Sequence, residues 1–334
     1  MVLDRRELFG TALAAGLAAA TGASAQQKDD APTPAAGDPN APFWPSRERY
    51  PLWPKNPPGA PRQLPVLNPT MNGPQGAREL WLRGIASPEI QVYRSARPDG
   101  SALLAFPGGG YEFLSVQNEG LDVAERFNAE RATVFVLTYR LPAEGWANRH
   151  LVPLQDAQRA MRLIRSRAAD FRIDPARLGV IGFSAGGHLA ADLATAYAER
   201  TYAPVDEADG LPARPAFAAL IYAVTTLRPS EGHRGSLDHL LGPDPATSLI
   251  DARSPLLHVD AQTPPCFLVH AIDDGTVPLA NSLDWLAACR AAKVPVEGHF
   301  FTEGGHGFGL HLPRDRSGSR WPDFLALWMR RHNG

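Results

Sequence analysis

Cysteine is scarce in this sequence: 334 residues contain two, Cys266 and Cys289. That excludes a disulfide framework as the source of stability. Cys266 falls in an apolar strand-like run and Cys289 in a helix-like one, so two buried free thiols are expected rather than a bridge. Long apolar runs are absent as well. No stretch reaches the roughly 20 apolar residues needed to cross a bilayer, so the mature protein is expected to have no membrane span. Neither sign of charge is in excess. The 33 Lys+Arg against 35 Asp+Glu give a formal net charge of −2, which offers no basic patch for nucleic acid. None of the 10 histidines pairs with another at convincing metal-ligand spacing. What is present is ordinary globular composition, 44% hydrophobic and 20% charged, enough for one large core.

The chain divides into three materials. Residues 1–25 carry Arg5 and Arg6, then "ELFGTALAAGLAAA", then the small residues "ASA" at 23–25. A charged start, a short apolar middle and a small-residue end read as an export signal, here resembling the twin-arginine type. The expected location is periplasmic or extracellular. Residues 26–75 are dense in proline, which fixes φ and removes a donor, so no helix or central strand is expected there. A plain linker would lack aromatics, yet this one has Phe43, Trp44, Tyr50 and Trp53. An extended arm whose aromatics lie on the body of the protein is expected.

Residues 76–334 alternate between strand-like and helix-like patterns. Apolar runs recur at 102–107, 132–139, 178–183, 216–224, 265–270 and 294–301, continuous rather than alternating, as parallel strands buried on both faces require. Between them lie amphipathic stretches. Leu154, Ala157, Met161, Ile164 and Ala168 step by three and four and form one stripe. The fold class is α/β, a mostly parallel central sheet with helices on both faces. "LWLRGIA" and "IQVYRSA", ahead of the first crossover, are expected as antiparallel edge strands.

Sites in such sheets form at the carboxyl ends of the strands. There "GVIGFSAGGHLA" turns from strand to helix at Ser184, with Gly182 and Gly186 at i−2 and i+2. This is the G-x-S-x-G elbow, which lifts a serine hydroxyl clear of the sheet. A serine needs a base, and His306 stands in "EGGHGFG" after the last strand. An acid is needed to hold the imidazole. Asp273 and Asp274 follow the strand before it, and Asp274 is favoured by the D-x-x-V-P framing. Oxyanion donors are expected from the N–H of Ala185 and from Gly109 and Gly110 in "FPGGGYEF". His188, one helical turn past Ser184, is expected to pack or cap beneath the elbow, and His270 and His299, within strand runs, to be packed or surface groups. His233, His239 and His258 fall in a long stretch, 225–255 and beyond, that is long enough to wall or cap the site. Tyr111, Trp146 and Arg149 are candidate substrate contacts. This chemistry is acyl transfer to water and requires no metal or organic cofactor.

With these residues assembled, the chain resembles the α/β-hydrolase superfamily, and within it bacterial exported carbohydrate esterases of the acetylxylan esterase type. "PGGGYEFLSVQNEG", "VFVLTYRLP", "PLQDAQRAMRLIR", "LGVIGFSAGGHLAA", "TPPCFLVHAIDDGTVP" and "GGHGFG" carry the resemblance in order. Pro107 stands where lipase-type oxyanion motifs often have His. The resemblance implies hydrolysis of a small ester or acetylated glycan. A prolyl-oligopeptidase-like peptidase shares the fold but typically carries a large extra domain, for which 26–75 is too short. A non-catalytic carbohydrate-binding protein is disfavoured by the presence of every triad candidate.

Overall fold

Five of the six continuous apolar runs form strands buried on both faces, while the last, at 294–301, forms an edge strand that is only partly buried. The computed structural model describes residues 32–74 and 77–332, and the expected export signal lies outside the described residues. In chain order the strands are β1 (Thr33–Pro34), β2 (Arg49–Pro51), β3 (Asn68–Asn72), β4 (Glu79–Arg83), β5 (Glu89–Tyr93), β6 (Ala102–Phe106), β7 (Leu114–Ser115), β8 (Thr133–Thr138), β9 (Leu178–Phe183), β10 (Ala218–Ile221), β11 (Cys266–Ala271) and β12 (Val296–Phe301). The helices are α1 (Asp122–Ala129), α2 (Val152–Ser166), α3 (Ala168–Phe171), α4 (Ser184–Ala196), α5 (Arg234–Leu241), α6 (Thr247–Ala252), α7 (Ala280–Ala291) and α8 (Trp321–His332).

The main sheet runs in the order β12-β11-β10-β9-β6-β8-β5-β2. Neighbours from β12 to β8 are parallel, and β5 and β2 are antiparallel at one edge. Side chains alternate between the two faces. Along β6, Leu103 and Ala105 join one core layer, with α1 and α8 supplying Phe127, Leu325 and Trp328. Ala102, Leu104 and Phe106 join the other, with α2, α4 and α7 supplying Met161, Leu189 and Trp285. Each such fully buried large side chain stabilises the fold by about 1.5–3 kcal/mol. The expected stripe on α2 is buried through Ile164. It stops there because the helix ends at Ser166, and Ala168 opens the separate short helix α3.

Two expectations need correction. "LWLRGIA" does not edge the main sheet. Its β4 pairs antiparallel with β3 and β7 in a separate four-stranded sheet, ordered β1-β3-β4-β7. Leu80 and Leu82 are buried while Glu79, Trp81 and Arg83 are only partly so, the alternation of a half-covered surface sheet. The proline-rich arm is also more structured than its prolines suggest. It supplies β2 to the main-sheet edge and β3, with Pro69, between two partners in the small sheet. Leu52 and Trp53 are buried, and Trp53 Nε1 donates to Asp156 Oδ1 at 2.8 Å. Trp44 and Tyr50 pack on the core, but Phe43 stays 69% exposed beside Arg47. Cys266 and Cys289 are buried free thiols. Among the described residues no helix is long and apolar enough to cross a membrane.

Candidate active site

Ser184 follows Phe183, the last residue of β9, with no loop between and opens α4. Its φ is +51°, a left-handed conformation that persists only where the surroundings enforce it. The flanking glycines make the turn possible. A Cβ on Gly182 would lie 2.2 Å from the carbonyl oxygen of Gly186, and one on Gly186 would lie 2.1 Å from that of Phe106. Ser184 therefore stands at the positive end of a buried helix, beside the end of β6.

His306 Nε2 lies 2.8 Å from Ser184 Oγ, and His306 Nδ1 lies 2.7 Å from Asp274 Oδ2. An ionised carboxylate can only accept, so Nδ1 carries the proton and Nε2 accepts from the serine hydroxyl. Of the two neighbouring acids, Asp274 is the one that contacts His306. Asp273 instead accepts the Gly305 N–H at 2.8 Å and pins the histidine loop from outside. The side chain of Asp274 is fully buried. Burial alone would raise its pKa, but hydrogen bonds from His270, His306 and the Val277 N–H outweigh that and hold it well below the usual carboxylate value.

On the other side of Ser184 lies the glycine loop after β6. Its Pro107 carbonyl accepts from Tyr139 Oη at 2.6 Å, and the Gly110 carbonyl accepts from His239 Nδ1 at 2.9 Å. The Gly108 N–H is taken by Glu119 Oε2 at 2.6 Å, which leaves Gly109 and Gly110 as the loop's candidate oxyanion donors. Both line the cavity beside Ser184 and His306. The Ala185 N–H lies in the first turn of α4, where no intrahelical acceptor exists.

The cavity has a volume of about 410 Å³. One wall comes from the small sheet and the glycine loop, where Trp81 and Phe113 stack at 3.8 Å with Glu79 and Glu112 beside them. The other comes from the start of the long stretch, through His233 and His239. His258 is not part of it: exposed, it donates through Nε2 to the Asp251 carbonyl. Among the described lining residues there is no lysine or arginine.

The expected substrate contacts lie elsewhere. Tyr111 is 1% exposed, and its hydroxyl donates to His188 Nδ1 at 2.8 Å. His188 in turn donates through Nε2 to the Arg253 carbonyl, and burial lowers its pKa, so it stays a neutral prop beneath the elbow. Trp146 is buried, its ring under the Arg140 guanidinium at 4.8 Å. Arg149 bonds the carbonyls of Asp238 and His239 at the end of α5. A loop position after a strand put all three on the correct side, but each turns into the protein rather than the cavity.

Three other residues carried no functional expectation. Trp81, in the expected edge strand "LWLRGIA", lines the cavity. His270, expected as a packed or surface group, faces Asp274 at 3.2 Å. Glu119 lines the cavity although nearly all of it is buried. Desolvation pushes its pKa up to about 7, against the opposing hydrogen bonds from Tyr222 and the Gly108 N–H. Its neighbours in "SVQNEG" were a visible signal: an acid followed by Gly120, directly after the glycine loop, in a stretch already matched to the resemblance.

The BD-FAE family matches residues 101–288, which span every strand from β6 to β11 and the elbow. The chain belongs to the BD-FAE family. It is 32% identical over 228 residues to an acetylxylan esterase of Xylanibacter ruminicola, covering 66% of this chain and 44% of that protein. It is 33% identical over 219 residues to endo-1,4-beta-xylanase B of Butyrivibrio fibrisolvens, covering 66% of this chain and 34% of that one. The chain thus spans less than half the length of these curated relatives. The crystal structure of an acetyl ester-xyloside bifunctional hydrolase from Caldicellulosiruptor lactoaceticus superposes with a TM-score of 0.71 at 32% identity, covering 86% of this chain and 97% of that one. The fold of this BD-FAE member is the α/β-hydrolase fold.

Proposed function

We propose that this chain is a serine carboxylic-ester hydrolase that removes acetyl groups from plant polysaccharide or its oligosaccharides. The observation that carries the reading is the unbroken hydrogen-bonded line Asp274–His306–Ser184 at the wall of an open cavity. Ser184 Oγ attacks the ester carbonyl carbon as its proton passes to His306 Nε2. The oxygen that gains the charge is held by the N–H groups of Gly109, Gly110 and Ala185, each donor worth about 3 kcal/mol in the transition state. Collapse breaks the bond to the sugar oxygen, which takes the proton from His306. Water, deprotonated by the same nitrogen, then attacks acetyl-Ser184 and releases acetate and the free serine. Asp274 stays ionised and faces the imidazolium throughout.

The cavity walls support a neutral sugar ester. Trp81 and Phe113 offer ring faces of the kind that pack on a sugar's C–H edge, and Glu79, Glu112 and Glu119 disfavour an anionic acyl or uronate group. The relatives named as an acetylxylan esterase and as an acetyl ester-xyloside hydrolase point the same way. Export through residues 1–25, the arm at 26–75 and a catalytic domain at 76–334 complete the proposal. The pattern Arg5-Arg6, apolar run and small residues at 23–25 supports the export step. N-terminal sequencing of the periplasmic protein tests it, with a start near residue 26 expected and retention of Met1 against it.

The substrate is tested by comparing release of acetate and of ferulate from xylan and acetylated xylo-oligosaccharides. Acetate release at the higher kcat/KM is expected. Ferulate release alone, or turnover of peptide nitroanilides without esterase activity, contradicts the reading.

A further inference from the structure

We propose that Glu119 and Tyr222 form a positioning couple that fixes the oxyanion loop and the histidine loop relative to each other. The proposal rests on the ester-hydrolase reading above. The two loops come from strands on opposite sides of β9, and between them they hold both halves of the reaction: the donors that face the oxyanion and the base that moves the proton. Each loop is rich in glycine, so neither is stiff by itself. Three residues of the histidine loop, Gly305, Gly307 and Gly309, have left-handed φ values of +64°, +71° and +46°.

What ties them is a single wide turn, Gln117–Leu121, between β7 and α1. Asn118 and Glu119 sit side by side on it, and both are buried. Glu119 Oε2 accepts the Gly108 N–H at 2.6 Å, next to the candidate oxyanion donors. Glu119 Oε1 accepts the Tyr222 hydroxyl at 2.8 Å. The Tyr222 oxygen accepts the Gly309 N–H at 3.1 Å, and the Tyr222 ring stands edge-on to His306 with centroids 5.0 Å apart. Asn118 Nδ2 adds a second tie to the same loop, donating to the Gly307 carbonyl at 3.0 Å. One turn therefore reaches Gly108 on one side and, on the other, the stretch just past His306, at Gly307 directly and at Gly309 through Tyr222.

The chemistry of the couple is specific. Both carboxylate oxygens of Glu119 accept, and an ionised carboxylate is the side-chain group with two acceptor-only ends. A carboxamide would turn an N–H toward either the Gly108 N–H or the Tyr222 hydroxyl, and an aspartate is one methylene short. Among the described residues no lysine or arginine pairs with Glu119, so when it is ionised its charge is buried against hydrogen bonds alone. That is costly for stability, and the cost points to a role in the site. Tyr222 is itself held at φ +37°, immediately after β10. Strain of this kind persists only where the surroundings over-determine the backbone.

The test uses Glu119→Gln, Tyr222→Phe and the double variant, with 4-nitrophenyl acetate as substrate and a fluorophosphonate to count competent serines. A misplacement of catalytic groups by about 1 Å can cost on the order of 100-fold. Each single variant is therefore expected to lose about 10- to 100-fold in kcat per titrated site, with KM within about twofold of wild type. The double variant is expected to be no slower than the slower single, because the two act as one unit. If Glu119→Gln fails to fold, Tyr222→Phe decides alone, since it removes one oxygen and keeps the ring against His306. Unchanged kcat per titrated site, or losses that multiply in the double variant, overturns the proposal. Wild type is the control for the reading beneath it: wild type that does not hydrolyse the ester defeats the hydrolase assignment, whereas active wild type with equally active variants defeats only the couple.

Discussion

His270 Nε2 lies 3.2 Å from Asp274 Oδ2, the same oxygen that receives His306 Nδ1 at 2.7 Å. The acid is thus held from two sides, by the histidine it orients and by one on the strand before it. His270 Nε2 also donates to the Val277 carbonyl at 3.0 Å, and Nδ1 accepts from Ser282 Oγ at 2.8 Å. His270 is fully buried, so its removal leaves Asp274 with one donor fewer in a dry environment.

His270→Phe is therefore expected to cost about 1–3 kcal/mol of stability at pH 7, the penalty of under-satisfied buried polar groups. The sign with pH follows from Asp274. Its pKa is lowered on folding, so its contribution is present above 3.8 and is lost as pH falls below that value. The gap between wild type and variant in urea unfolding should narrow in acid. A gap that widens there contradicts this account of His270.

Asp273 and Asp274 are neighbours with different jobs, and asparagine at each separates them. Asp274→Asn removes the acceptor that sets the His306 tautomer, and a loss of about 10³- to 10⁴-fold in kcat is expected. Asp273→Asn leaves the Gly305 N–H with an amide oxygen still able to accept it, and a loss under about tenfold is expected. Comparable losses at the two positions would mean that the acid has been misassigned.

Glu119 makes a prediction about stability that is independent of turnover. Its pKa rises on folding from 4.5 to about 7. A raised carboxyl pKa stabilises the fold below pH 4.5, and that stability is lost as pH rises through about 7. The shift corresponds to about 3 kcal/mol at 1.36 kcal/mol per pKa unit. Between pH 5 and pH 8, wild type should lose stability that Glu119→Gln does not lose. Parallel curves for the two proteins would refute it.

These residues also mark how far the sequence alone reaches. Ser184, Asp274 and His306 were legible because each follows a strand end, and strand ends on a parallel sheet converge on one edge. The glycines around Ser184 carry their reason in the sequence, since only a tight turn needs both. Sequence position does not separate Tyr111, Trp146 and Arg149 from cavity residues, because it says which end of the sheet a residue occupies, not which way its side chain turns. Tyr111 follows Gly110 yet takes a left-handed φ of +61° and points at His188. Tyr222 gives no signal and Glu119 only its place beside Gly120 after the glycine loop, because the tie between them is a contact between residues 103 positions apart. Trp81 was silent because β4 belongs to a second sheet that no periodicity announces.

Trp81 bears on the substrate. If its face packs on a sugar, Trp81→Ala should raise KM for an acetylated xylo-oligosaccharide about fivefold, the worth of roughly 1 kcal/mol of ring contact. The KM for 4-nitrophenyl acetate should change less than twofold, because that substrate is too small to need the wall. Equal effects on the two substrates would make Trp81 a support for Phe113 rather than a sugar contact.

The central claim, an acyl-serine ester hydrolase, is tested most directly by acetate release from acetylated xylo-oligosaccharides with Ser184→Ala beside wild type, folding being checked by circular dichroism. The account predicts a folded variant whose rate falls by about 10⁶-fold, to the level that the oxyanion donors and binding alone sustain. A folded Ser184→Ala protein that still releases acetate at a rate near that of wild type would contradict it.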